Sequence, residues 1–136
     1  MSARQEMTMV FPALPDYAGV ARAALSALLT RLRAGDSASA ELKAAVSEAC
    51  ANAARYAYAP GCGVIEMRFI VGRRKITVII ADHGRGFTVR RPPRRPLRDT
   101  DIHLGLGLKL MRRLADRAVI KSGPEGTVVT LSKKLR

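Results

Sequence analysis

The sequence predicts an α/β (α+β) protein folded as a single domain over residues 1–136, on three observations. Two Ala- and Leu-rich stretches carry apolar residues at three- and four-residue spacing, the period of an amphipathic helix. Two pairs of short β-branched runs follow, each pair closed by a glycine-containing turn. Nearly half of the residues are apolar (48%) but few are aromatic (4%), so a sizeable core exists and must be aliphatic.

Taken in order, Met7 to Phe11 read as a first strand, which Pro12 and Pro15 end. A helix follows from about Tyr17 to Arg33, with Asp16 as its expected N-cap. Its apolar stripe is Val20, Ala21, Ala24, Leu25, Leu28, Leu29 and Leu32. Gly35 and Asp36 end that helix, and Ser37 or Ser39 is placed to cap the next. The second helix, Glu41 to Tyr58, has no Gly or Pro and sets Leu42, Val46, Ala49, Ala53 and Tyr56 on one face. Val64 to Val71 and Lys75 to Ala81 read as a hairpin around Gly72-Arg73-Arg74. In its first strand Ile65, Met67, Phe69 and Val71 form a fully apolar face, and the second is apolar enough for a central strand. Thr88 to His103 is rich in Arg and Pro without periodicity, the pattern of a functional or mobile loop. A helix opened by Gly105 and Gly107 comes next, with Leu108, Met111, Leu114 and Ala115 as its stripe. Ala118 to Lys121 and Thr127 to Lys133 close the chain as a last strand pair.

Three places carry chemistry. Glu48 and Asn52 stand one helical turn apart beside the second helix's apolar stripe, a carboxylate above a carboxamide. Taken alone they could simply solvate the helix border. Asp82-His83-Gly84-Arg85-Gly86-Phe87 follows the central strand, and its two glycines release the backbone for close approach to a ligand. Leu104-Gly105-Leu106-Gly107-Leu108 sets Gly-x-Gly at a helix start, where free N–H groups and the helix dipole favour phosphate. It lacks the third glycine and the preceding strand of the dinucleotide fingerprint.

Composition removes other classes. Cys50 and Cys62 read as two reduced thiols, and no metal-ligand spacing occurs. The N-terminus lacks a signal peptide's hydrophobic run, and no stretch of about eighteen apolar residues exists, so a cytoplasmic protein without a membrane span is expected. The net charge of +13 is uneven: residues 1–60 hold six basic and five acidic side chains, residues 61–136 eighteen and six. Arg90, Arg91, Arg94, Arg95 and Arg98 crowd one loop with few stacking aromatics nearby. Direct nucleic-acid binding is therefore disfavoured against a phosphate ligand or an acidic protein partner.

The ordered set Ser-Glu-Ala-Cys-Ala-Asn-Ala (47–53), Asp-His-Gly-Arg-Gly-Phe (82–87) and Gly-Leu-Gly-Leu (105–108) resembles the GHKL (histidine-kinase-like) ATPase superfamily. It is most similar to the bacterial anti-sigma-factor serine/threonine kinases, over about residues 5 to 135. The resemblance implies a two-layer sandwich of the Bergerat ATP-binding type, a mixed sheet covered by helices on one face, with a mobile ATP lid at about 88–104. It implies ATP and Mg²⁺ as ligands. Asn52 matches the Mg²⁺-coordinating residue, Glu48 the general base, and Asp82 the acceptor of the adenine amino group. Gly84 and Gly86 match the positions that admit the nucleotide, Gly105 and Gly107 those that free the lid backbone, and Thr127 a hydroxyl near the adenine. Arg22 matches a partner-surface arginine, and Arg55 lies one turn past Asn52. The implied partners are a sigma factor and an anti-anti-sigma (STAS-domain) protein phosphorylated on Ser, with the chain as a homodimer through the first helix and N-terminal strand. The alternative is an ATP-binding partner-switch module that sequesters a regulator without kinase activity.

The sequence departs from the family at Tyr56, where members often carry His, and at His103-Leu104, where some carry Arg-Ser. The charge at the γ-phosphate is then left to another group, with the lid arginines, Arg98 among them, as candidates. Lacking a phospho-acceptor His segment and a dimerisation helix pair, the chain is not expected to be a complete sensor histidine kinase.

Overall fold

A computed structural model describes residues 4–57, 63–84 and 99–136, with side chains through Arg55 and again from Gly107 in the segments beside the gaps. The elements are β1 (Gln5–Pro12), α1 (Pro15–Arg31), α2 (Asp36–Asn52), a π-helical turn (Ala53–Ala57), β2 (Val64–Val71), β3 (Lys75–Asp82), α3 (Asp99–Leu114), β4 (Arg117–Gly123) and β5 (Gly126–Lys134). No described helix is long and apolar enough to cross a membrane.

The helix boundaries differ from expectation for local reasons. Helix α1 starts at Pro15, whose fixed φ suits a first helical position, so Asp16 sits in the first turn and does not cap. Helix α2 starts after Gly35, with Ser37 and Ser39 inside it and no side-chain cap. It ends at Asn52, earlier than Tyr58, and continues as the wider π turn. Helix α3 starts at Asp99, so Gly105 and Gly107 lie within the helix and do not open it. The last part of the expected lid is therefore helical, and its residues 88–98 lie outside the described residues.

The two-layer α/β arrangement is as expected, but the sheet is antiparallel throughout where a mixed one was expected. Its order is β1-β2-β3-β5-β4, with all four pairings antiparallel. The connections explain this. The α1–α2 helical hairpin returns the chain so that β2 runs back along β1. β3 and β4 run the same way but never pair, because β5 lies between them.

The registers align inward-facing side chains into rows across the sheet. Met9, Met67, Ile80, Val129 and Ile120 form one row, and Met7, Phe69, Val78, Leu131 and Ala118 the next. Against these pack Ala21, Leu25 and Leu29 of α1, Leu42, Val46 and Ala49 of α2, and Leu108 and Met111 of α3, all buried. A third row, Phe11, Ile65, Asp82, Thr127 and Ser122, is apolar at one end and polar at the other. The site lies there, where the apolar rows stop.

Lys133 is an exception within the core face. Its ammonium donates to Glu41 of α2 and to the Leu114 carbonyl at the end of α3 (2.6 Å), with Asp116 at 3.7 Å. One cation thus pins the C-terminus of α3 and the start of α2 to β5, where the helix dipole favours positive charge.

Candidate functional site

Helix α2 is held on the sheet by Leu42, Ala45, Val46, Ala49 and Cys50, all nearly without exposure. That anchoring fixes the azimuth of Glu48 and Asn52. Glu48 is half-buried, and Asn52, expected at the helix border, is buried at 6% exposure. Its Nδ2 group is a buried donor with no hydrogen-bond partner among the described residues. An orphaned buried amide costs about 1–3 kcal/mol, so such a group is retained for a reason.

Gly107 faces this pair. A Cβ added there would stand 2.9 Å from Glu48 Oε2, 3.2 Å from Asn52 Nδ2 and 3.5 Å from Asn52 Oδ1. The glycine therefore serves close helix–helix approach, which is why it sits inside α3 despite its poor helix propensity. The N–H groups of Gly105 and Gly107 belong to the helix interior, so the expected phosphate-binding helix opening at these glycines is not found.

Asp82 occupies the last residue of β3 and is buried at 6% exposure. Its Oδ1 accepts the Gly84 N–H at 3.0 Å and the Thr127 N–H at 3.2 Å. Burial pushes its carboxyl above the ordinary value, and the two backbone donors and His83 oppose that rise. Both of these backbone donors fall on the same carboxylate oxygen, Oδ1. The Thr127 hydroxyl lies 2.7 Å from that of Ser122. Gly126, at φ +135°, brings β5 against the backbone of Asp82 and His83: a Cβ would overlap the Asp82 carbonyl oxygen and come within 2.8 Å of His83 Cα.

The structure thus brings Glu48, Asn52 and Gly107 into one contact, and Asp82, Gly84 and Thr127 into another. Gly86 lies outside the described residues, as do Arg98 and Cys62. Arg22 is exposed on α1, outside both clusters. Arg55, carried on the π turn, is exposed. Among the described residues no group of three or more His, Cys, Asp or Glu side chains could hold a metal by itself. Cys50 is a free, buried thiol pushed up to about 12 by burial, hence unreactive. Ser122 lies one residue past the expected strand Ala118 to Lys121, so sequence reasoning missed it. Alternation from Ala118 through Ile120 puts it on the inner face, and that was the available signal.

The α/β sandwich thus carries a polar row at one sheet end and a carboxylate–carboxamide pair facing Gly107 of α3. Residues 11–133 match the histidine kinase-like ATPase domain, and the chain belongs to that family. A serine-protein kinase RsbW from Bacillus velezensis is 36% identical over 135 residues, covering 93% of this chain and 84% of the relative. The anti-sigma F factor of Bacillus subtilis is 31% identical over 137 residues, covering 97% and 94%. The crystal structure of the RsbU and RsbW domains of a Mycobacterium tuberculosis protein superposes with a TM-score of 0.73 at 25% identity, covering 96% of this chain and 32% of that one.

Proposed function

We propose that this chain is an ATP-dependent protein serine kinase that also acts as an anti-sigma factor, phosphorylating a Ser of an anti-anti-sigma protein and sequestering a sigma factor. The observation that carries the reading is the contact among Glu48, Asn52 and Gly107, with the Asn52 amide buried and unpartnered. These groups fit Mg²⁺ and a polyphosphate: the carboxamide offers an oxygen to a hard cation and N–H to a phosphate oxygen. The missing Cβ lets α3 approach these side-chain tips without a clash. Mg²⁺ bound there supplies charge neutralisation at the phosphates during transfer.

The chain's own residues do the rest. Asp82 orients the nucleotide by accepting the adenine amino N–H through Oδ2, because Gly84 and Thr127 already hold Oδ1. Thr127, its hydroxyl paired with Ser122, places a second polar group in the same sheet row. Gly84 and Gly86 are assigned to the admission of the nucleotide. Glu48 accepts the proton from the attacking serine hydroxyl, as an anchored carboxylate beside the phosphate-binding group does in general base catalysis. Positioning supplies most of the acceleration. Arg22, exposed on α1, contributes to partner recognition. β1 is a sheet edge with Val10 61% exposed, and Val20 of α1 is 53% exposed; both support a homodimer through these elements. The protein works in the cytoplasm.

Calorimetry with Mg·ATP, followed by phosphate transfer to a STAS-domain protein, tests the reading. Binding and transfer by the wild type are expected, and Glu48→Gln should lose transfer while keeping nucleotide and partner binding. A folded wild-type protein that binds no Mg·ATP overturns the proposal. Transfer by Glu48→Gln at the wild-type rate removes Glu48 from the role of base.

A further inference from the structure

The helices all pack on one face of the sheet, and the opposite face collects charge at one end. Lys75 of β3 and Lys134 of β5 are direct cross-strand neighbours, and both point away from the helices. Arg117 and Lys121 of β4 share that face, since their register partners Ser132 and Val128 do. All four cations are exposed, and no ion pair forms to them among the described residues. Elsewhere in the sheet, Arg68 pairs with Glu6 and Lys133 with Glu41. One acid, Asp116, lines the same region, and its carboxylate accepts the Lys134 backbone N–H at 2.7 Å. Like charges set directly across a strand pair are destabilising, so this arrangement calls for an anion from outside.

The cations surround an open groove of about 530 Å³ floored by Val119, Val128, Thr130 and Ser132. That volume exceeds what a single small anion fills, and the floor mixes aliphatic and hydroxyl side chains. No aromatic lines it, so nucleobases find nothing to stack on. β4 is the end strand of the sheet, and its outer edge offers main-chain groups to an added strand. We propose that this face is a docking surface for an acidic, extended segment of a partner protein, which lies along β4 with its carboxylates against Arg117, Lys121, Lys75 and Lys134. The surface is on the opposite side of the sheet from the Glu48–Asn52 contact, so the proposal stands whether or not the kinase reading does.

A fluorescent ten-residue peptide alternating Glu and Val, followed by anisotropy on the whole chain, is the test. Wild-type protein should bind it, and Arg117→Glu/Lys121→Glu should bind at least tenfold more weakly with an unchanged melting temperature. Lys75→Gln/Lys134→Gln, altered on other strands, should weaken binding as well and guards against a folding defect in the first pair. The same peptide with alternate amides N-methylated should bind more weakly. Undiminished binding by both double variants overturns the proposal, as does undiminished binding of the N-methylated peptide. Equal affinity for a single-stranded oligonucleotide of the same charge also overturns it, reducing the surface to general attraction for polyanions.

Discussion

Gly107→Ala separates the site's geometry from the stability of the fold. The new methyl carbon would lie 2.9 Å from Glu48 Oε2 and 3.2 Å from Asn52 Nδ2, closer than such contacts allow. Both atoms are the ends of side chains, so the clash is relieved by swinging them aside and leaving the backbone in place. Gly107 has no positive φ, and alanine in a helix interior is favoured over glycine by about 0.5–1 kcal/mol. For a domain of this size that gain is a rise of about 2–4 °C in melting temperature. The displaced Glu48 and Asn52 should meanwhile lose at least about tenfold in Mg·ATP affinity, roughly 1.4 kcal/mol. Differential scanning fluorimetry without ligand and calorimetry with Mg·ATP read the two effects separately. A variant that is equally or more stable yet binds nucleotide like the wild type would refute the reasoning, because the tips over Gly107 would then not matter to the ligand. So would a variant that unfolds, because α3 would then depend on this glycine for its backbone.

Three further substitutions test contacts described above. Asp82→Asn keeps an oxygen for the Gly84 and Thr127 N–H groups but presents the wrong group to an adenine amine, so Mg·ATP affinity should fall about tenfold or more by calorimetry. Because burial raises the Asp82 pKa, the folded state keeps that proton longer than the unfolded chain. Its contribution is thus fully present below the ordinary value of about 4 and is lost as pH rises through the folded value; melting curves across that range should show Asp82→Asn gaining on the wild type toward neutral pH. Gly126→Ala places a side chain at φ +135° against the Asp82 carbonyl and should lower stability by about 2 kcal/mol or more in urea titration. Lys133→Met keeps the apolar stem and leaves Glu41 and Asp116, about half exposed, free to rehydrate, so the loss should be about 1–2 kcal/mol for the uncapped Leu114 carbonyl.

Periodicity made most of the fold legible. The inner faces of β2, α1 and α2 are those the apolar spacing marked, from Ile65, Met67 and Phe69 to Leu25, Leu29, Leu42 and Val46, except that Val20 of the expected α1 stripe is exposed. Strand pairing by hairpin was legible from the turn glycines, but strand order was not: nothing local to β4 or β5 shows that β5 inserts beside β3. In the site, the residue types of Glu48, Asn52 and Asp82 were readable, but their degree of burial was not. Asn52 looked like a border residue because helix spacing gives direction and not depth; α3 lies over it, and α3 is remote in sequence. The Gly105–Gly107 pair misled for a related reason. Glycines in an unpaired sequence read as breaks, and the partner side chains that explain Gly107 lie more than fifty residues away.

The π turn at Ala53–Ala57 follows Asn52 without a break. Such a turn holds one residue more than an α turn. Deleting a residue there would let the helix close into ordinary winding and rotate everything after it by about 100°. The direction in which Arg55 leaves the helix is therefore set by the length of this stretch and hardly by its composition. Glu48 and Asn52, upstream of the widened turn, are insulated from such a change. Insertion or loss of a single codon at this point would re-aim the neighbouring surface while the carboxylate–carboxamide pair stayed put, a route by which relatives could diversify what they contact without disturbing what they bind.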